Sequence, residues 1–209
     1  DGYREKPQGG EQPAAPSSDR FRLAGRITGG SDGNRFQCGL GKIIVRGGVG
    51  LDSIDLGHAK SKGVQVRNTP KASSNSVAEL ALGYMLAMAR KIPQATMSMT
   101  AGEWKKKQLK GSEISGKTLG LIGFGNIGGL LGQKASALGM NVIFYDVITP
   151  PDPGYAIQVS LDEVLAQSDY ISLHVPKVPA TTNMLNAEVF AKMKDGVFLV
   201  NCARGGVVD

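Results

Sequence analysis

Three glycines, Gly123, Gly125 and Gly128, stand in the order GFGNIG, and an acidic residue, Asp146, follows about 20 residues later. The glycines come after an apolar run, Thr118 to Ile122, and open a segment that can form a helix as far as Gly139. A turn of this kind seats a diphosphate on free backbone N–H groups at the positive end of a helix dipole. Gly123 allows the tight turn, Gly125 presents no Cβ to a pyrophosphate, and Gly128 lets helix and strand pack closely. A second apolar run, Val142 to Tyr145, ends at Asp146, whose carboxylate would accept from both ribose hydroxyls and repel a 2′-phosphate. The expected coenzyme is therefore NAD rather than NADP. In a chain with 29 glycines the spacing alone is weak evidence. Its place after a strand, before a helix and ahead of a strand-end aspartate carries the inference; the bland alternative is a glycine turn beside a surface aspartate.

The other chemistry-bearing residues are sparse. The two histidines are His58, in a predicted helix, and His174, at a predicted strand end. Cys38 and Cys202 are far apart, which predicts neither a disulfide framework nor a zinc site, and no metal is expected. A reducing, cytoplasmic setting fits. The formal charge of +6 is spread along the chain except at Lys105 to Lys107, without aromatic platforms, so a solvated basic face is expected rather than nucleic-acid binding. No apolar run has the length of a membrane span, and the charged opening does not resemble a secretory signal.

The elements that must position these residues follow from periodicity. Residues 1–40, rich in Gly, Pro, Ser and charge, read as a disordered tail. A strand at Ile43 to Arg46, a glycine turn at Gly47 to Gly50, a helix from Asp52 to Lys62 closed by Gly63, and a strand at Val64 to Val66 form a small unit over residues 41–70. Ser76 and Glu79 read as a capping box for a long helix stopped by Pro93. That helix is apolar nearly all round, which predicts burial on most sides, in its own core or in a subunit interface. Trp104 is expected to be a packing anchor. Beyond Asp146 come a helix at Leu161 to Ala166, a strand at Tyr170 to Val175 ended by Pro176, a helix around Ala187 to Met193, and a strand at Val197 to Asn201. This alternation predicts an α/β fold, a doubly wound parallel sheet over residues 71–209 with ligands at the carboxyl ends of its strands. Gly129 and Gly132 are expected to weaken the helix after the glycine turn, by about 1 kcal/mol each against alanine.

Taken together, VRGGVGLDSIDL, NTP with SVAEL, GFGNIG with Asp146, HVP with PATT, and NCARGGVVD resemble the NAD-dependent D-isomer-specific 2-hydroxyacid dehydrogenases, most nearly their phosphoglycerate dehydrogenase branch. The resemblance runs from about Lys42 to Asp209 and implies a Rossmann-type coenzyme domain, with residues 41–70 a remnant of a substrate-binding domain. It implies that Gly123, Gly125, Asn126, Ile127, Gly128, Asp146, Pro176, Thr181, Cys202 and Ala203 line the NAD site. Arg204 would hold the substrate carboxylate and polarise the reacting oxygen, as a planar, permanently charged fork suits. Taken alone, Arg204 is a surface arginine at a strand end. The N–H groups of Val49 and Gly50 would also meet the carboxylate, and Arg46 would meet a substrate phosphate. The implied reaction is oxidation of 3-phosphoglycerate to 3-phosphohydroxypyruvate, a step of serine biosynthesis, in a homodimer formed through the helix starting near Ser76.

The departures from the family pattern set further expectations. Ser73 stands where the family usually has Asn, so one substrate contact is shorter or lost. The family's catalytic Glu and His follow the NCARGG segment and have no counterpart in these 209 residues, so the chain alone is expected to be inactive or nearly so. The sheet is expected to be incomplete at its C-terminal side, with Val197 to Asn201 an open edge that makes the chain marginally stable and prone to aggregate. A second function class is a non-catalytic NAD-sensing module like the co-repressors of the same fold family.

Overall fold

The computed structural model describes residues 43–51 and 53–209. The expectation of a disordered tail over residues 1–40, and the one about Cys38, lie outside these. The described residues form two compact units, one of residues 43–46 and 50–68, the other of residues 47–49 and 69–209.

In the smaller unit, β1 (Ile43–Arg46) runs parallel to β2 (Gln65–Asn68), in register from Ile43 opposite Gln65 to Arg46 opposite Asn68. Between them lies a single helix, α1 (Leu56–Ser61). It begins at Leu56 rather than Asp52 because Asp55 caps it, accepting the His58 N–H at 2.8 Å. Gly63 closes it with φ of 68°, as the sequence led one to expect. Ile43 and Val45 stay more than half exposed.

The larger unit is built on a five-stranded parallel sheet in the order β5 (Ile157–Gln158), β4 (Asn141–Tyr145), β3 (Thr118–Ile122), β6 (Tyr170–Leu173), β7 (Phe198–Asn201). On one face lie α2 (Ser74–Ala89) and α4 (Asn126–Ala137), packed on Leu119, Leu121, Val142 and Phe144. On the other, α5 (Leu161–Gln167) covers Ile122, Ile143, Ile171 and Leu173. The period-2 alternation of β3 is thus visible in its two cores. At the centre of β3, Gly120 has no room for a side chain: a Cβ there would lie 2.1 Å from the buried Ser168 Oγ. The first residues of β3 and β6 are laced together by Asp169, which accepts the Thr118 N–H at 2.8 Å and meets Lys194 at 3.3 Å. Burial alone would raise the Asp169 carboxyl, but these partners outweigh it and hold it below its usual value.

Three expectations about local structure are corrected. Ser76 and Glu79 do not form a capping box. The helix α2 starts at Ser74, whose hydroxyl donates back to Pro70 O, and Glu79 is taken instead by Asn75 Nδ2 at 2.7 Å and Lys134 at 3.3 Å. Pro93 does not stop the long helix. That helix ends at Ala89, Lys91 adopts a left-handed φ of 53°, and Pro93 sits in the first turn of α3 (Ile92–Thr100), where a missing N–H costs nothing. Within the chain α2 buries one face, through Ala78, Ala81, Met85 and Ala89, and leaves Leu80 and Tyr84 half exposed. Trp104, 76% exposed, anchors nothing among the described residues, because it falls in the loop after α3 rather than over the core. No helix among the described residues is long and apolar enough to cross a membrane.

Candidate coenzyme site at the strand ends

The register of the sheet brings the chemistry into line. Tyr145 pairs with Ile122, Ile122 with Leu173, and Leu173 with Asn201, so the last residues of β4, β3, β6 and β7 form one row. The next residue in each chain segment is therefore Asp146, Gly123, His174 or Cys202. Stretches separated by up to 79 positions meet at one edge because parallel strands end together.

At the middle of this edge Gly123 turns the chain with φ of 96°, and a Cβ on it would meet His174 O at 2.7 Å. Gly128, in the first turn of α4, lies so close to the turn that a Cβ would approach Gly123 O to 2.2 Å. Gly125 differs from both. It has φ of −81° and nothing within 4 Å of where its Cβ would stand. Two of the glycines are required by the protein's own packing, whereas the third leaves space open in front of the helix N-terminus. Asn126 and Ile127 begin α4 there. Phe124, between the glycines, stacks on Phe144 with ring centroids 3.8 Å apart.

Asp146 closes one side of the turn. Its Oδ2 accepts the Phe124 N–H at 2.7 Å and its Oδ1 accepts the Ile148 N–H at 3.0 Å, so the carboxylate is held rather than free to rotate. Each oxygen retains acceptor capacity for a hydroxyl. Open space before a helix dipole, flanked by a fixed carboxylate, fits a dinucleotide's diphosphate and ribose.

On the other side stand the β6 and β7 ends. Thr181 folds its hydroxyl onto Pro176 O and accepts the Val178 N–H at 3.0 Å, which shapes the loop after Pro176. His174 points into the fold: its Nε2 lies 2.9 Å from the Oγ of Ser172, a residue with no exposed surface. Its Nδ1 is buried without a partner, and burial pushes the imidazole down to about 4 from its ordinary 6.5. A ring kept neutral by burial and engaged with Ser172 has its Nε2 directed away from a role as proton acceptor at the mouth. Burial also raises the Cys202 thiol, so it is not an activated nucleophile. Arg204 donates from Nη1 to Ala203 O at 3.0 Å.

The four substrate-contact candidates are divided between the units. Arg46 and Gly50 belong to the smaller, where Arg46 reaches Ser53 Oγ at 3.4 Å. Val49 and Ser73 belong to the larger, with Ser73 immediately before α2. Sequence reasoning missed three features of the edge: the Phe124 to Asp146 bond, the Ser172 to His174 pair, and two hydrogen bonds from the side chain of Asn201. Only the last carried a readable signal, since an asparagine at a strand end favours bonds to the backbone two or three residues on.

Residues 82–209 match the family described as "D-isomer specific 2-hydroxyacid dehydrogenase, NAD binding domain". The chain belongs to that family. Among relatives of these dehydrogenases, a hydroxypyruvate reductase of Thermotoga maritima is 55% identical over 168 residues, covering 80% of this chain and 55% of the relative. A D-3-phosphoglycerate dehydrogenase of Methanocaldococcus jannaschii is 49% identical over 172 residues, 80% of this chain and 33% of that protein. The chain thus spans between a third and about half of these relatives. The solved D-lactate dehydrogenase of Aquifex aeolicus, complexed with NAD and lactic acid, superposes with a TM-score of 0.74 at 38% identity, over 80% of this chain and 51% of that one. The α/β Rossmann-type fold and NAD as coenzyme, both expected from the glycine turn and Asp146, are thereby established for this dehydrogenase domain.

Proposed function

We propose that this chain is the coenzyme-binding part of a dehydrogenase that oxidises 3-phosphoglycerate to 3-phosphohydroxypyruvate, a reaction of serine biosynthesis. The observation that carries the proposal is the aligned row of strand ends, with the open space at Gly125 on one side of it and the Arg204 turn on the other. Gly123, Gly125, Asn126, Ile127, Gly128, Asp146, Pro176, Thr181, Cys202 and Ala203 would hold NAD, which supplies a hydride acceptor when bound. Arg204 orients a substrate carboxylate and draws charge from the reacting oxygen. Val49, Gly50 and Ser73 complete the carboxylate contacts, and Arg46 holds the phosphate of the substrate. Residues 41–70 act as the remnant of a substrate-binding domain.

Removing the hydroxyl proton needs a base, and neither histidine is suited: His58 is exposed on α1 and His174 is turned into the core. The 209 residues alone bind NADH and substrate without appreciable turnover. The exposed Leu80, Tyr84, Ile92, Met97, Met99 and Trp104 on and beside α2 and α3 support a homodimer through this surface.

Titration with NADH, followed by 3-phosphohydroxypyruvate and hydroxypyruvate in parallel, tests the proposal. The phosphorylated acid should bind at least tenfold tighter, and Arg46→Ala should erase that preference. Equal affinity for the two acids would refute the phosphoglycerate assignment.

A further inference from the structure

The turn that carries Arg204 is held from below by one side chain. Asn201, the last residue of β7, accepts the Ala203 N–H on Oδ1 at 3.0 Å and donates from Nδ2 to the Arg204 carbonyl at 3.2 Å. The two partners fix the amide's orientation, because a flipped amide would set donor against donor and acceptor against acceptor. The Ala203 peptide is engaged at both ends, since its carbonyl accepts from the Arg204 guanidinium at 3.0 Å. Asn201 itself is exposed, so it is not kept for core packing. Its place in the row of strand ends ties the turn to the sheet through Leu173.

We propose that Asn201 is a positioning residue for Arg204. By clamping the backbone on both sides of the Ala203–Arg204 peptide bond, it fixes the point from which the guanidinium projects. The guanidinium then meets a substrate carboxylate from a backbone that stays fixed. Pre-organisation of this kind lowers the ordering cost of binding the anion. The inference rests on the carboxylate role proposed for Arg204.

The test uses the 209-residue chain with NADH bound and oxalate, an unreactive dicarboxylate, as the probe. Asn201→Ala removes both bonds, whereas Asn201→Asp keeps the Ala203 contact and turns the second into a repulsion between oxygens. We expect oxalate affinity to fall about tenfold or more in both variants, with NADH affinity falling less, because only Cys202 and Ala203 of the coenzyme residues lie on this turn. Hydrogen exchange at the Ala203 amide should quicken at least about tenfold in Asn201→Ala and stay near the parent rate in Asn201→Asp. Unchanged exchange in Asn201→Ala overturns the clamp. Oxalate binding that Arg204→Ala abolishes but neither Asn201 variant weakens overturns the positioning role alone. Oxalate binding that is absent in the parent, or indifferent to Arg204→Ala, sinks the carboxylate role of Arg204 and this inference with it.

Discussion

The Phe124 N–H donates to Asp146 Oδ2 at 2.7 Å, joining the glycine turn to the end of β4 across 22 positions of sequence. One carboxylate therefore serves the protein as well as any ribose. Asp146→Ala should weaken NADH binding by about 10–100-fold, the value of one or two charge-assisted hydrogen bonds. Asp146→Asn, which can still accept the Phe124 N–H, should lose less, as isothermal titration of both variants would reveal.

The open space at Gly125 separates folding from binding. Gly125→Ala should shift the melting temperature by no more than about 2 °C, since its Cβ meets nothing, yet weaken NADH at least tenfold by occupying the diphosphate's place. Gly128→Ala should do the reverse in emphasis. Its Cβ would collide with a backbone oxygen at 2.2 Å, which costs about 1–3 kcal/mol or more of stability before any ligand is added. Equal loss of stability in the two variants would contradict this division.

Gly129 and Gly132 were both expected to weaken α4, and the structure distinguishes them. At Gly129 the nearest atom to a Cβ is Tyr155 Oη at 3.7 Å, an ordinary contact, so Gly129→Ala should stabilise by about 0.5–1 kcal/mol through helix propensity. At Gly132 a Cβ would press on Leu121, Tyr155 and Val142 at 3.1–3.3 Å. Gly132→Ala should therefore lose that advantage or destabilise, and urea unfolding of the pair would measure the difference.

His174 should make the domain acid-sensitive. Its folded pKa of about 4 lies below the ordinary 6.5, so the unfolded chain takes up a proton first as the pH falls. Stability from this group is intact above pH 6.5, is lost progressively between pH 6.5 and about 4, and amounts to about 3 kcal/mol at most. Unfolding free energies measured from pH 7 to 4.5 should fall more steeply for the parent than for His174→Gln. Parallel curves would show that the imidazole is not the group responsible.

By itself the sequence determined the kinds of element and the identity of the coenzyme. Apolar runs too short for helices, glycines at the end of one and an aspartate at the end of the next are local signals, and each was legible where it stood. The tertiary structure decided which of those residues share an edge and what each glycine is for. Gly125 and Gly128 look alike in GFGNIG, but only the approach of Gly123 O to one and the empty space at the other tells a packing glycine from one that makes room. The capping box at Ser76 failed on local and distant grounds together: α2 begins two residues earlier, at Ser74, and Glu79 is held by Asn75 as well as by Lys134, on a helix 55 positions away. What docking beside β6 adds to the asparagine clamp under Arg204, whose own bonds reach only two and three residues on, is its place in the row of strand ends.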